Sequence, residues 1–428
     1  MANAARDRVI LLASSRSYRN RAFTDAARRL GLDVVLGLDV PPPFLKKAPN
    51  RLALDYRDLS AATDAILEYA RAHPVRAILG VDDSGTVLAA RAGAALGLPH
   101  NAPDAAEAAG NKARMRARFA AAGVPSPQFH VFNVNDDPEE ILEVLEAEGL
   151  GFPVVLKPTH LSASKGVMRA DDPIEFIERF ERLRRILSTE GCDDLLVERF
   201  IPGREVALEG LLQAGALTVL ALFDKPDPLD GPFFEETLYV TPSRLPAATQ
   251  AAILAAARQA CAALGLREGP VHAELRVNAQ GAWLVEVAAR SIGGLCSRVL
   301  RFTHSASVSL EELILRQALG LAVDDSQREH QAGGVMMIPI PAAGLFRGVT
   351  GLEAAQAVPG IESVEITAPV DYPIVPLPEG DSYLGFIFAR GETPDAVEAA
   401  LRAAHRCLTF TITPEIALTR VARPAQAG

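Results

Sequence analysis

The chain has 428 residues, of which 49% are hydrophobic, and its 53 acidic and 43 basic side chains give a net charge of −10. This length predicts two to four domains, and the apolar content is ample for buried cores. The acidic balance argues against a general nucleic-acid binder or a protein of anionic membranes, because both need a basic surface.

The cysteines and apolar runs indicate a cytoplasmic protein. The four cysteines are widely spaced and form no CxxC pair, so they favour buried free thiols over a zinc site or disulfides. The first apolar run, 9–13, is too short for a signal-peptide core, and no later run approaches the ~18 apolar residues of a membrane helix.

Strands and helices alternate in the N-terminal part. The pattern predicts strands at 9–13, 33–38 and 76–81 and helices at 18–30, 59–72 and 84–96, which together indicate a doubly wound parallel sheet. No GxGxxG follows the first strand, so a structural or substrate-side domain is favoured over a dinucleotide site. Asp82, Asp83 and Ser84 lie at the carboxyl end of the third strand, where such sheets bind ligands, although they could equally cap the next helix, which is the favoured role for Ser84.

A basic helix at 111–122 leads into a smaller α+β unit. Strands are predicted at 128–132, 153–157 and 195–200, with helices at 138–148 and 173–188. Lys157 ends an apolar strand, and a lysine held there needs an anion. The following loop, 158–167, contains Lys165 and Gly166 and could fold over phosphates, although an ordinary serine-rich turn would also explain it.

The next segments lead to an acidic hairpin. A strand at 205–212 follows the Pro202-Gly203 turn, residues 224–242 are expected to form an ordered loop beside a site, and 249–264 a helix. In 272–294, HAELRVNAQGAWLVEVAARSIGG, Glu274 and Glu286 each interrupt an apolar strand. Such carboxylates suit a divalent cation, although two exposed acids with an arginine partner would give the same pattern.

Arg290 and two glycines follow the second strand. Arginine can stabilise charge that develops on a phosphoryl group, and glycine amides can approach an anion closely. Beyond them the pattern predicts a helix at 308–319, a charged linker at 324–331 and an α+β cap from 333 to about 412 with a helix at 394–405.

The order of these features resembles the ATP-grasp superfamily over nearly the whole chain. The features are Lys112, Lys157, the small-residue loop, VERFIPGRE at 197–205, Glu274 and Glu286 twelve positions apart, and Arg290 four positions later. The stretches VEVAARSIGG and PLPEGDSYLGFIFARGETPDAVEAAL look most like L-amino acid ligases and related carboxylate-amine ligases. The C-terminal cap is similar to those of biotin carboxylase and the L-amino acid ligases.

The resemblance implies a fold with α/β and α+β domains. Its expected parts are an N-terminal doubly wound parallel-sheet domain (1–110), a connecting helix (111–123), a small ATP-grasp lobe acting as a lid (124–200), a large lobe with the catalytic site (201–325) and a C-terminal α+β cap (333–420).

The resemblance also implies the ligands. ATP would be held by Lys112 and Lys157, by the loop residues Ser162, Ser164, Lys165 and Gly166, by Glu198, Arg199, Phe200 and Ile201 at adenine, and by Glu205 at ribose. Glu274 and Glu286 would bind Mg²⁺, or Mn²⁺ in its place, and Ala288 stands where many relatives carry an asparagine, which puts a second ion in doubt. Arg290, Lys157 and Glu286 would be catalytic, with the amides of Gly293 and Gly294 near the bound substrate.

The implied reaction is ATP-dependent amide or peptide bond formation through an acyl phosphate. The partners would be small-molecule carboxylate and amine substrates, with no nucleic acid or membrane, and the chain could form a homodimer. A carboxylase-type enzyme that activates bicarbonate and a nucleotide-binding regulatory protein are the alternatives.

Overall fold

The computed structural model describes residues 7–15, 17–40, 48, 50–303, 307–323 and 327–414. Residues 324–326 of the expected linker and 415–420 of the expected cap therefore lie outside the described residues. Within the described ranges, no helix combines the length and the apolar character that a membrane crossing requires.

The N-terminal domain is an open parallel sheet with helices. Its elements are β1 (Arg8–Ser14), α1 (Asn20–Arg29), β2 (Asp33–Asp39), β3 (Arg51–Leu54), α2 (Leu59–Ala72), β4 (Ala77–Gly80) and α3 (Asp83–Leu96). The strand order is β3-β2-β1-β4, with all pairs parallel. Residues 9–13 of the central strand β1 are fully buried, as a continuous apolar run predicts. The short strand β3 was not predicted, because it has only four residues, of which one, Leu54, is buried.

Two helices connect this domain to the small lobe. The connecting helices are α4 (Pro103–Ala109) and α5 (Lys112–Ala121). The small lobe comprises β5 (Phe129–Asn133), α6 (Pro138–Ala147), β6 (Val154–Pro158), β7 (Met168–Ala170), α7 (Pro173–Glu190) and β8 (Asp194–Arg199). Its antiparallel sheet has the order β5-β8-β6-β7, and α7 packs against it through the buried rings of Phe176 and Phe180.

The large lobe is built on long antiparallel strands. Its elements are β9 (Arg204–Gln213), β10 (Ala216–Asp224), β11 (Leu238–Thr241), α8 (Ala247–Leu264), β12 (Gly269–Asn278), β13 (Gly281–Ala288), β14 (Arg301–Thr303), β15 (Ser307–Ser309), α9 (Leu310–Ala318) and β16 (Gln327–Arg328). The acidic hairpin is β12 and β13, joined across Ala279 and Gln280. Part of the expected loop 224–242 is instead the strand β11. This strand was not predicted, because the sequence around it is rich in proline.

The C-terminal strands extend the sheet of the large lobe. They and their helices are β17 (Ala332–Ile338), β18 (Gly344–Thr350), α10 (Leu352–Gln356), β19 (Ile361–Ile366), β20 (Tyr372–Ile374), β21 (Gly385–Gly391), α11 (Pro394–Arg406) and β22 (Thr409–Thr413). An eight-stranded sheet runs in the order β13-β12-β9-β10-β11-β17-β21-β19. Its continuity depends on β11, whose residue Leu238 pairs with Met336 of β17. The cap is therefore joined to the large lobe through backbone hydrogen bonds.

Candidate active site

The two hairpin glutamates lie side by side. Glu274 and Glu286 are directly opposite each other on β12 and β13, and the register shifts between Glu274 and Leu275. Their side chains are 18% and 28% exposed, so both carboxylates are partly buried yet still accessible to solvent. Because carboxylates directly opposite on a sheet repel, this pair favours a bound cation.

Lys112 connects the hairpin to the small lobe. Its Nζ lies 3.3 Å from Oε2 of Glu286 and donates to the carbonyl of Leu161 at 2.7 Å. Its backbone N–H donates to the carbonyl of Thr159 at 2.9 Å. The start of α5 therefore brings a lysine, a hairpin carboxylate and the base of the 158–167 loop to one point.

The anion that pairs with Lys157 is a carboxylate of the protein itself. It forms an ion pair with Glu198 on the neighbouring strand, and Arg116 Nε donates to the other oxygen of Glu198 at 2.9 Å. Arg116 also donates to the carbonyl of Val285 at 2.7 Å, which ties α5 to the hairpin. Burial opposes ionisation of Glu198, but Arg116 and Lys157 more than offset it, so the pKa of Glu198 lies below its usual range.

The residues between the lobes do not all face the cleft. Phe200 and Ile201 are buried, and the guanidinium of Arg169 lies 4.2 Å from the centre of the Phe200 ring. Arg199 follows Glu198 on a strand, so its side chain leaves the opposite face, where Nη2 donates to the carbonyl of Gly149 at 2.8 Å. The expected contribution of Arg199 to a nucleotide site is therefore limited to its main chain.

Lys225 lies within a group of three glutamates. Its Nζ is 2.7 Å from Glu205 and 3.1 Å from Glu274, and it also contacts Glu236. Burial alone would lower the pKa of Lys225, but the three carboxylates raise it well above its ordinary value. Burial raises the pKa of Glu236 to about 7, although Lys225 acts in the opposite direction.

Lys225 and Glu236 were not among the predicted site residues. The available signal was a lysine directly after the apolar strand β10, the same signal that singled out Lys157. Carboxylate oxygens of Glu205, Glu236 and Glu274 lie within 4.8 Å of one another, an arrangement of oxygen donors suited to a cation. Glu286 belongs to a different contact, with Lys112.

Arg290 is held by the N-terminal domain. Its Nε donates to Oδ1 of Asp83 at 2.9 Å, and Nη1 donates to the carbonyl of Ser291 at 3.1 Å. Burial opposes ionisation of Asp83, but Arg290, with smaller effects of Arg19 and Lys112, holds its pKa below the usual value. The end of β4, where a ligand site was predicted, is therefore in contact with Arg290, the predicted catalytic arginine.

The neighbouring polar residues have structural partners. Asp82 accepts from the backbone N–H of Ser14 at 3.1 Å and from the hydroxyl of Ser17 at 2.9 Å. Asp82 also occupies the N-cap position of α3, without a side-chain capping bond, so the expected capping role of Ser84 is wrong. The helix begins at Asp83, one residue earlier than predicted.

The glycine loop after Arg290 is tightly packed. The N–H of Gly294 donates to the hydroxyl of Tyr18 at 2.9 Å. Gly294 has a φ of +57°, and a Cβ there would lie 2.3 Å from the sulfur of Met337. Only glycine fits this approach without displacing Met337.

The buried His272 lies between two carboxylates, those of Glu274 and Glu209. His272 Nε2 lies 3.4 Å from Oε1 of Glu274, and His272 Nδ1 lies 3.6 Å from Oε2 of Glu209. That Glu209 oxygen accepts from the backbone N–H of Ile292 at 3.0 Å. Burial raises the pKa of Glu209, while the two glutamates outweigh the burial of His272 and raise its pKa.

The 158–167 loop lies against the cap. Lys165 Nζ is 2.6 Å from Glu190 and 3.9 Å from Asp381, and the N–H of Gly166 donates to the carbonyl of Pro378 at 2.8 Å. Ala163 and Ser164 both have left-handed φ values, of 55° and 56°. In this conformation Lys165 is therefore paired with acidic residues and not placed beside Lys112 and Lys157. No side-chain contact between Ser162 and these two lysines is seen among the described residues.

Comparison with known proteins identifies the family of the chain. Residues 150–299 match the family described as ATP-grasp domain, residues 24–100 the ATP-grasp N-terminal domain, and residues 336–413 the L-amino acid ligase C-terminal domain 2. D-alanine–D-alanine ligase of Synechococcus sp. (strain JA-2-3B'a(2-13)) is 30% identical over 256 residues, 56% of this chain and 74% of the relative. Alanine–anticapsin ligase of Bacillus subtilis (strain 168) is 29% identical over 218 residues, 46% of this chain and 44% of the relative.

The fold agrees with that of a solved L-amino acid ligase. The crystal structure of the enzyme from Bacillus licheniformis superposes with a TM-score of 0.78 at 26% sequence identity. The match covers 96% of this chain and 100% of the B. licheniformis chain. The chain therefore belongs to the ATP-grasp superfamily. Within it the chain is L-amino acid ligase-like, an enzyme that forms carbon–nitrogen bonds.

Proposed function

We propose that the enzyme joins a carboxylic acid and an amine into an amide or peptide bond, with an acyl phosphate as the intermediate. The observation that carries the proposal is the position of Arg290, which is held by Asp83 at 2.9 Å and stands directly before the glycine loop of Gly293 and Gly294. An arginine there can act on a reacting carboxyl group, which nucleotide binding alone does not need.

The nucleotide would lie between the lobes. Lys112 and Lys157 would neutralise its phosphates once they exchange their present partners, Glu286 and Glu198, for phosphate oxygens. The segment 198–201 would offer main-chain groups to adenine, and Glu205 would accept from ribose hydroxyls. Lys225, paired with Glu205 and Glu274, adds a third cation at the same place.

The acidic residues fit a magnesium ion. Glu274 and Glu286 would hold it, because they are adjacent oxygen donors on a rigid hairpin. When bound, the ion would neutralise phosphate charge and orient the phosphoryl group for transfer. Ala288 has no donor side chain, so it offers no ligand to a second ion.

The protein's own part in the reaction is charge neutralisation and alignment. A carboxylate is a poor electrophile, and transfer of the γ-phosphoryl group to its oxygen turns that oxygen into a leaving group. The amine lone pair then attacks the acyl carbon, the C–O bond to phosphate breaks, and the amine loses a proton to solvent. Arg290 and the amides of Gly293 and Gly294 would stabilise the negative charge that develops on the acyl oxygen.

Trapping with hydroxylamine tests this proposal. The enzyme is incubated with ATP, Mg²⁺, hydroxylamine and each of the common L-amino acids in turn. We expect hydroxamate to form with particular acids, together with ADP and phosphate. Phosphate release that depends on bicarbonate, without hydroxamate, would indicate a carboxylase-type enzyme, and no turnover with any acid would contradict the ligase assignment.

A further inference from the structure

A charged face of the cap helix α11 contacts the loop 225–237, which begins with Lys225. Asp395, Glu398 and Arg402 follow one another at intervals of three and four positions, so they lie on one face of the helix. The opposite face is buried in the core of the cap, through Val397, Ala400, Leu401 and Ala404. A helix packed in this way is a rigid support for the side chains on its outer face.

Arg402 connects α11 to the loop just after Lys225. Its Nη2 donates to Oδ1 of Asp227 at 2.5 Å and to Oε1 of Glu398 at 2.9 Å. Its Nε donates to the same Glu398 oxygen at 3.0 Å. Because Glu398 accepts from two nitrogens of the guanidinium, it fixes the direction in which Arg402 reaches the loop.

Asp227 joins the two ends of the loop. Its second oxygen accepts from the hydroxyl of Thr237, and the carbonyl of Thr237 accepts from the backbone N–H of Met337 at 2.7 Å. Asp227 stands two positions after Lys225, and Thr237 one position after Glu236. The contact made by α11 therefore bears on the backbone beside both of these cluster residues.

Arg244 makes a second connection, on the other side of Lys225. Its Nε and its backbone N–H both donate to Oδ2 of Asp224, at 3.0 Å and 2.9 Å. Its Nη1 donates to Oε2 of Glu398 at 2.8 Å. Asp224 directly precedes Lys225 in the chain. Lys225 is thus flanked on both sides by carboxylates that are tied to α11.

The placement of Lys225 matters because its Nζ lies 3.1 Å from Glu274, one of the two glutamates that we assign to magnesium. We propose that Arg402 is a positioning residue of the ligase reaction, which acts through Asp227 on Lys225. This inference rests on the proposed function. A displacement of about 1 Å at the reacting groups can cost about a hundredfold in rate, so a contact outside the site can affect turnover.

The Arg402 contact is suited to a test that separates positioning from folding. The side chains of Arg402 and Asp227 are 36% and 32% exposed, so their ion pair contributes little to the stability of the fold. Removing it leaves the apolar packing of α11 in place. A loss of activity without a loss of stability would therefore report on the geometry of the loop.

The experiment is a double-mutant cycle with hydroxamate formation as the assay. Wild-type enzyme, Arg402→Gln, Asp227→Asn and the double variant are compared with ATP, Mg²⁺ and an acid that the wild type accepts. We expect each single variant to lower kcat about tenfold while the KM for ATP changes less than about twofold. The double variant should lose no more than either single variant, because all three lack the same contact. Melting temperatures should stay close to that of wild type.

Two further variants serve as controls. Arg402→Lys keeps the positive charge and one donor for Asp227, so it should recover much of the wild-type kcat. Arg406→Gln changes an exposed arginine of the same helix, one turn later, and it should behave as wild type.

Hydrogen exchange gives a second measurement, which needs no substrate. Arg402→Gln should speed exchange of the amides in 225–237, while the amides of α11 keep their protection. An unchanged kcat in Arg402→Gln, additive losses in the double variant, or exchange that rises as much in α11 as in the loop would overturn the positioning role. Absence of hydroxamate with wild-type enzyme would refute the ligase proposal instead, and hydrogen exchange would still decide whether Arg402 holds the loop.

Discussion

Arg290 of the large lobe donates through Nε to Oδ1 of Asp83, at the N-terminus of α3, over a distance of 2.9 Å. The side chain of Arg290 is only 12% exposed, so its direction is set by this contact and by the carbonyl of Ser291. The N-terminal domain, in which no GxGxxG follows the first strand, therefore orients the arginine that we assign to the reacting groups.

We expect Asp83→Asn to lower kcat about tenfold or more while leaving the KM for ATP nearly unchanged. The amide oxygen can still accept from Arg290, but a neutral partner holds the guanidinium less firmly, and loss of a supporting contact of this kind costs about ten- to a hundredfold. Steady-state kinetics with ATP as the varied substrate measure the effect. A large rise in the KM for ATP at unchanged kcat would contradict the positioning role.

We expect Arg290→Lys and Arg290→Ala to bind ATP with near wild-type affinity and to lose at least about a hundredfold in turnover. Deletion of a group that acts in the transition state has consequences on this scale, and lysine cannot engage two oxygens at once. Nucleotide titration and initial rates measure the two quantities separately. If either variant loses ATP binding and keeps its rate at saturation, Arg290 is a ground-state phosphate ligand.

Local sequence patterns were sufficient for most individual elements. Burial of a parallel strand requires a continuous apolar run, and the run at 9–13 indicated β1 correctly. Glu274 and Glu286 were recognisable because charges in apolar strands are rare, and their turn fixes the register that sets them opposite each other. Lys157 was recognisable for the same reason.

Contacts between distant elements were not predictable. The pairing of β11 with β17 unites the cap with the large lobe, but β11 is only four residues long and lies in an otherwise polar, proline-rich segment. Arg116 sits on a helix that reads simply as basic, and its burial depends on Glu198, 82 positions later. Asp83 and Arg290 are 207 positions apart, so only the folded domains reveal their contact.

We expect Glu286→Gln to abolish ligation while the chain remains folded, because an isosteric amide fills the same space without the negative charge that a cation needs. Trp283, the single tryptophan of the chain, lies on the same strand and provides a fluorescence signal for Mg²⁺ titration in the presence of an ATP analogue. Glu365→Gln, at an exposed ion pair with Arg298, serves as the control. Near wild-type turnover with unchanged Mg²⁺ dependence would refute the metal assignment.

We expect an ATP analogue with Mg²⁺ to suppress protease nicking between Ser162 and Gly166. The loop is held to the cap by the Gly166 contact with Pro378, and α7 is held there by Arg182, which donates to both oxygens of Glu379 at 2.7 Å and 2.9 Å. Glu379→Gln weakens that attachment and should speed nicking of the free enzyme. Equal cutting with and without nucleotide would count against a phosphate lid.

We expect Glu198→Gln to lower the free energy of unfolding by about 3 kcal/mol near pH 7, because it leaves the buried Arg116 and Lys157 without their shared anion. The pKa of Glu198 is lower in the folded chain than its ordinary value of 4.5, so its contribution to stability is fully present above that value. It is lost as the pH falls through the folded pKa, where the native carboxylate takes up a proton. Urea titrations of both proteins at several pH values should therefore show a stability difference that shrinks in acid.

Glu365→Gln, at its exposed pair, should change stability by less than about 1 kcal/mol. A difference that stays constant from neutral pH to about pH 3, or grows in acid, would contradict a stabilising role of the ionised carboxylate.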